Sequence, residues 1–192
     1  MQDVLAERLI RPGARIGDGA RNVMLILGGS LLIAALAQIS IYLPISPVPI
    51  TGQTLGVLLV GMALGARRGA ASLVTYLAEG ALGLPVFAGG NAGLAYMLGP
   101  TAGYLAGFVL AAWLVGTLAE RGYDRSLPRT LLAFALGSAV IYAFGLLWLA
   151  RFVPWPGTLA AGMTPFLIGD AVKAVAAALL LPGAWKLIGI RN

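Results

Sequence analysis

The chain has 192 residues, of which 59% are hydrophobic and 10% charged, the length of a single domain (residues 1–192) with a composition far from that of a soluble protein. It contains no cysteine and no histidine, which excludes disulfides, thiol catalysis, the commonest metal ligand and every Ser–His or Cys–His nucleophile arrangement. The net charge of +6 would suit nucleic acid, but the basic residues sit beside apolar stretches, where they orient a membrane protein or touch anionic headgroups, so a nucleic-acid partner is discarded.

In hydrocarbon every backbone polar group must be satisfied internally, and long unbroken apolar runs favour helices over the alternating strands of a barrel. The expected fold is therefore an all-α integral membrane bundle. Residues 1–21 carry Asp3, Glu7, Arg8, Arg11, Arg15, Asp18 and Arg21, and read as a cytoplasmic segment with a short interfacial helix ended near Pro12 and Gly13. The following apolar run, Val23 to Leu43, has the length of a membrane span and is too long for the core of a signal peptide. Next comes PISPVPITG, residues 44–52, whose three prolines forbid a regular helix.

Gln53 to Gly65 and Gly69 to Leu82 are shorter than the ~20 residues that cross a bilayer comfortably, and they flank Arg67 and Arg68. A re-entrant hairpin would leave both arginines at mid-depth at a cost of ~3 kcal/mol or more each, so two short spans are expected instead. Residues 82–103 are uncharged and rich in glycine, a structured loop entering a fourth span over Leu98 to Ala119. After the charged turn Glu120, Arg121, Asp124, Arg125 and Arg129, a fifth span runs from Thr130 to about Leu149, followed by a loop from Arg151 to Met163. Pro165 suits the first turn of a sixth helix that continues to about Leu181, before Pro182 and Gly183 interrupt it.

Charge gives six spans a direction. Numbering the connections alternately puts Arg8, Arg11, Arg15, Arg21, Arg67, Arg68, Arg121, Arg125, Arg129, Lys186 and Arg191 on one side and Arg151 alone on the other, so both termini are expected to be cytoplasmic. The loops 44–52, 83–97 and 152–164 then face outward together and build any outward-facing site.

Three ionisable residues fall inside apolar spans: Glu79, Asp170 and Lys173. Such groups are expensive and should face the bundle interior or a polar cavity with partners. Asp170 and Lys173 are one helical turn apart on one face, either a structural pair stapling the bundle or an acceptor and a donor offered to a polar ligand. Glu79 either lines the same cavity or reaches the interface, and Gln53 and Tyr96 are further candidates for the cavity wall. Asn91, in the loop GGNAG, can donate and accept at once, although Asn beside Gly is also an ordinary turn pair. Gly99, Gly103, Gly107 and Ala111 recur every fourth residue, as do the pairs Ser30/Ala34 and Gly61/Gly65, and such small-residue stripes let helices approach closely, within the bundle or against a membrane partner.

The combination VPITGQTLGVLL, GLPVFAGGNAGLAYMLGPTAGYLAGF and PFLIGDAVKAVAAALL, spread from about Ile45 to Leu181, resembles the BioY family of biotin-specific S components of energy-coupling factor (ECF) transporters. The resemblance implies a six-helix, multi-pass protein of a prokaryotic cytoplasmic membrane. It would capture biotin at the outer face and work with a transmembrane coupling subunit and two ATPase subunits. It also implies that Asn91, Asp170 and Lys173 contact biotin, that Ser30 and Ala34 correspond to partner-docking small residues, and that rocking of the bundle releases the ligand inward with loop 83–97 as the gate. Biotin is then the transported ligand, with neither cofactor nor metal expected. An ionised Glu79 in the cavity would repel the biotin carboxylate.

The sequence has no GxxxxGK[ST] phosphate-binding loop, so ATP hydrolysis is expected to come from other subunits and the chain is read as no enzyme. An aspartyl mechanism would need two facing aspartates, and Asp170 is the only one within a span. From the intramembrane charges alone, an autonomous carrier for another small solute is the alternative.

Overall fold

A computed structural model describes residues 3–9 and 17–188. Pro12, Gly13, Arg11, Arg15 and Arg191, which entered the reading of the termini, lie outside the described residues. Among the described residues the regular structure is helical apart from one short antiparallel strand pair. In order it forms α1 (Leu5–Leu9), α2 (Asp18–Gln38), β1 (Ser40–Ile41), β2 (Ile50–Thr51), α3 (Gln53–Leu64), α4 (Ala66–Ala81), α5 (Gly93–Met97), α6 (Ala102–Ala119), α7 (Leu127–Leu149), α8 (Gly157–Gly162) and α9 (Leu167–Leu187).

Six of these helices, α2, α3, α4, α6, α7 and α9, form the bundle. Among the described residues, α2, α6, α7 and the segment ending in α9 are long and apolar enough to cross a membrane. At about 1.5 Å per residue the 21 residues of α2 reach roughly the ~30 Å of a hydrocarbon core. The short pair is where the sequence placed it: α3 has 12 residues and α4 has 16. They meet at Gly65, whose φ of 83° lies in the left-handed region that glycine enters without a Cβ penalty.

Several boundaries differ from expectation. Helix α2 starts at Asp18 and stops at Gln38, because Ser40–Ile41 leave the helix to pair with Ile50–Thr51 across the proline-rich loop. Helix α6 starts at Ala102 rather than Leu98, since the preceding Gly99–Pro100 makes a turn after α5. In the last segment Pro165 sits in a 3-10 turn over Thr164–Phe166, and α9 runs through Pro182 to Leu187. Pro182 is buried and costs one backbone hydrogen bond without ending the helix. The loop after α7 contains the unforeseen helix α8.

The small-residue stripes are internal seams. Gly103 and Gly107 bring α6 against the backbone of α7 at Phe144 and Ile141, where a Cβ would collide or crowd. Gly61 sits against Ala112 of α6 in the same manner. Helix α2 packs on α4, and Ser30 (0% exposed) and Ala34 (9%) are inside that bundle. Both side chains are therefore in contact within the bundle, with Ser30 bonded to Glu79 of α4. The exposed face of α2 carries Met24, Leu27 and Leu31 instead, the apolar surface expected against lipid.

The three loops gather at one end. Ser46 of the first donates its Oγ hydrogen to the Ala161 carbonyl of the third at 2.7 Å. Tyr42, just after β1, donates its hydroxyl to Ala88 O of the second at 3.0 Å. The opposite end collects Arg67, Arg68, Arg121, Arg125 and Arg129, with α1 tucked against it through buried Val4, Leu5 and Ala6.

Candidate functional site

The N-terminal turns of α3, α6 and α9 and the C-terminal half of α7 converge beneath the loops on a partly open pocket, with about 510 Å³ of empty space when its mouth is counted. Its wall is divided. Leu105, Phe108, Ile141 and Phe166 supply an apolar side, and Thr51, Gln53, Thr54, Thr101, Tyr142, Asp170 and Lys173 supply polar groups.

The polar side is one connected cluster. Lys173 Nζ lies 2.9 Å from Asp170 Oδ1, one turn away on α9, and their side chains are only 18% and 12% exposed. Lys173 also donates to Thr54 Oγ1 of α3 at 2.7 Å, and Thr54 donates to Asp170 Oδ1 at 3.1 Å. The Tyr142 hydroxyl of α7 donates to the other carboxylate oxygen, Oδ2. Three helices thus hold one carboxylate, which fixes its orientation and offsets the cost of burying charge. Two of the three ammonium protons are engaged among the described residues, which leaves one for a ligand.

The expected site residues fare differently. Asp170, Lys173, Gln53 and Tyr96 all line the cavity. Glu79 does not: it points from α4 to α2, where it accepts the Ser30 hydroxyl at 2.5 Å. This corrects its place in the cavity wall and removes the expected conflict with an anionic ligand. Asn91 is exposed and stands outside the wall, donating Nδ2 to Ala88 O at 2.7 Å and to the Tyr42 hydroxyl at 3.2 Å.

Thr54 and Tyr142 escaped the sequence reading. Thr54 adjoins Gln53 in an apolar run, where a single hydroxyl is commonplace. Tyr142 gave a usable signal, since a phenol inside a span must find a hydrogen-bond partner.

The chain matches the BioY family over residues 7–190. It is 42% identical over 163 residues to the biotin transporter BioY of Rhizobium etli, covering 79% of this chain and 87% of that protein. It is 41% identical over 180 residues to the biotin transporter BioY of Rhodobacter capsulatus, covering 83% and 90%. Among solved structures, it is similar to the crystal structure of the S-component for biotin from an ECF-type ABC transporter, with a TM-score of 0.79, 26% identity, and 89% of this chain and 95% of that chain covered. A membrane bundle with this cavity, matched along nearly its whole length, belongs to the BioY family.

Proposed function

We propose that this protein captures biotin in the cavity beneath its three loops and serves as the biotin-binding component of an ECF-type uptake transporter. The observation that carries the reading is the Asp170–Lys173–Thr54–Tyr142 cluster on the wall of an otherwise apolar pocket. Biotin's ureido ring has two N–H donors and a carbonyl acceptor, its fused ring and alkyl chain are apolar, and it ends in a carboxylate. Asp170 accepts from the ureido N–H groups, the remaining Lys173 proton serves the carbonyl or the carboxylate, and Leu105, Phe108, Ile141 and Phe166 take the apolar parts. Asn91 joins the ligand from loop 83–97 by exchanging its bonds to Ala88 and Tyr42 for ureido contacts.

In this reading all six bundle helices span the membrane, with the arginine-rich end and both termini in the cytoplasm of a prokaryotic cell and the cavity facing outward. Arg151, the basic residue of the cavity-side loops, stacks on Trp148 at 4.3 Å, an interfacial arrangement. Energy comes from ATPase subunits joined through a membrane coupling subunit, and the chain itself catalyses no reaction.

Isothermal titration of the purified chain tests the assignment. Wild type should bind biotin saturably and Asp170→Asn about a hundredfold more weakly, the scale of a lost charge-assisted pair. No saturable binding by wild type, or undiminished binding by the variant, would overturn it.

A further inference from the structure

Resting on the proposed function, we infer that Gln53 and Tyr76 form a positioning relay that ties the occupancy of the cavity to the closure of loop 83–97. Gln53, 6% exposed, lines the cavity at the start of α3 and donates Nε2 to the Tyr76 hydroxyl at 2.5 Å. Tyr76, fully buried on α4, passes the interaction on by donating to the carbonyl of Val86 at 3.1 Å. The other end of the Gln53 amide, Oε1, is held by the Thr51 hydroxyl at 3.0 Å, and Thr51 also lines the cavity. A continuous chain of three hydrogen bonds therefore runs from the ligand wall to the backbone of the loop.

An aromatic path runs beside it. The ring next to Val86, Phe87, is fully buried and meets Tyr76 edge-on at 5.5 Å. Its other face stacks on Tyr96 of α5 at 5.2 Å, and Tyr96 lines the cavity. Phe87 occupies the space that Gly80 leaves open, where any Cβ would overlap its ring. The loop is thus plugged into the α4 surface at Phe87 and locked at Val86. A ligand that fixes the Gln53 amide in this orientation secures the bond from the Tyr76 hydroxyl to Val86, and this couples binding to closure of the loop.

The chain has no cysteine, so one introduced thiol reports on the loop alone. Ala88→Cys, at a position 1% exposed, should react slowly with a maleimide while the loop is closed, and biotin should slow it further. Tyr76→Phe removes the hydroxyl and keeps the ring against Phe87. In that background the relay predicts about five- to tenfold faster labelling without ligand, and a biotin dissociation rate raised by a similar factor with the association rate not lowered. Unchanged labelling and dissociation would overturn the relay. So would a general loosening, read as equal acceleration at a second buried thiol, Ala177→Cys on α9.

Should Tyr76→Phe fail to fold, Gln53→Met removes the two cavity-side bonds of the side chain, to Thr51 and to Tyr76, and leaves the bond from Tyr76 to Val86. It should accelerate labelling and abolish the additional protection by biotin, and protection equal to that of the parent would count against the relay. A parent that never binds biotin strikes the proposed function, while ligand-free labelling still decides the relay.

Discussion

The two ends of the bundle handle charge in opposite ways. At the arginine-rich end, charged groups are spent on the fold itself. Glu120 Oε1 caps α4 by accepting the Ala66 N–H at 3.0 Å, and Arg68 joins Glu7 at 3.1 Å and Asn22 at 2.9 Å to hold α1 in place. Buried Asp124 accepts the Trp185 indole N–H at 2.6 Å while the Arg125 guanidinium lies 4.6 Å over the same ring. At the cavity end, a single ion pair is held by neutral hydroxyls on the wall of an open space. At the first end the charged groups tie helices together, whereas at the second the pair stands on the wall of the pocket.

That contrast predicts that substitutions at the cavity end change binding, with or without a change in stability, and those at the opposite end change stability alone. The largest effect should come from Lys173→Met, which leaves the Asp170 carboxylate without its cation, abolishes biotin binding and destabilises the fold by about 3–5 kcal/mol. Adding Asp170→Asn should restore most of the stability and none of the binding. A double variant that stays as unstable as the single one, in thermal melts, would mean that the pair staples the bundle. Tyr142→Phe should weaken biotin binding about tenfold in titrations with little change in melting, because it removes one donor that orients Asp170.

At the other end, Glu120→Ala should lower stability by about 1 kcal/mol through the lost cap and leave affinity unchanged. An affinity change there would break the division. The smallest effect is one of pH. Burial pushes the Asp124 carboxyl above the usual carboxylate range, with the Trp185 hydrogen bond only partly opposing it. A carboxyl whose folded value is raised favours the folded state when protonated, so its stabilising contribution is complete below the unfolded value and is lost as pH rises through the folded one. Asp124→Asn stays neutral while still accepting from the indole. Its melting point should therefore fall less than that of wild type as pH rises through the acid range, and an unaltered slope would contradict this.

Much of the fold was legible because apolar run length and charge are themselves the constraints a bilayer imposes. The division of residues 53–82 into two short helices was legible from the arginine pair that interrupts the apolar run, although both arginines lie inside the first turn of α4. Asp170 and Lys173 stood out for the same reason, as charges one turn apart in an apolar run. What could not be read were partners chosen in three dimensions. Nothing in the sequence says that the Glu79 carboxyl meets Ser30 rather than the cavity, or that Ser30 and Ala34 face α4. Pro182 is the converse case, a local helix-breaking signal overridden by packing.

The central proposal is that the part-buried Asp170–Lys173 pair on α9 is the contact for biotin. A crystal structure of the biotin complex tests this most directly. The account predicts the ureido ring within about 3.2 Å of the Asp170 carboxylate, with Lys173 on the ureido carbonyl or the ligand carboxylate. Biotin bound elsewhere, with Asp170, Lys173, Thr54 and Tyr142 bonded only to one another, would contradict it.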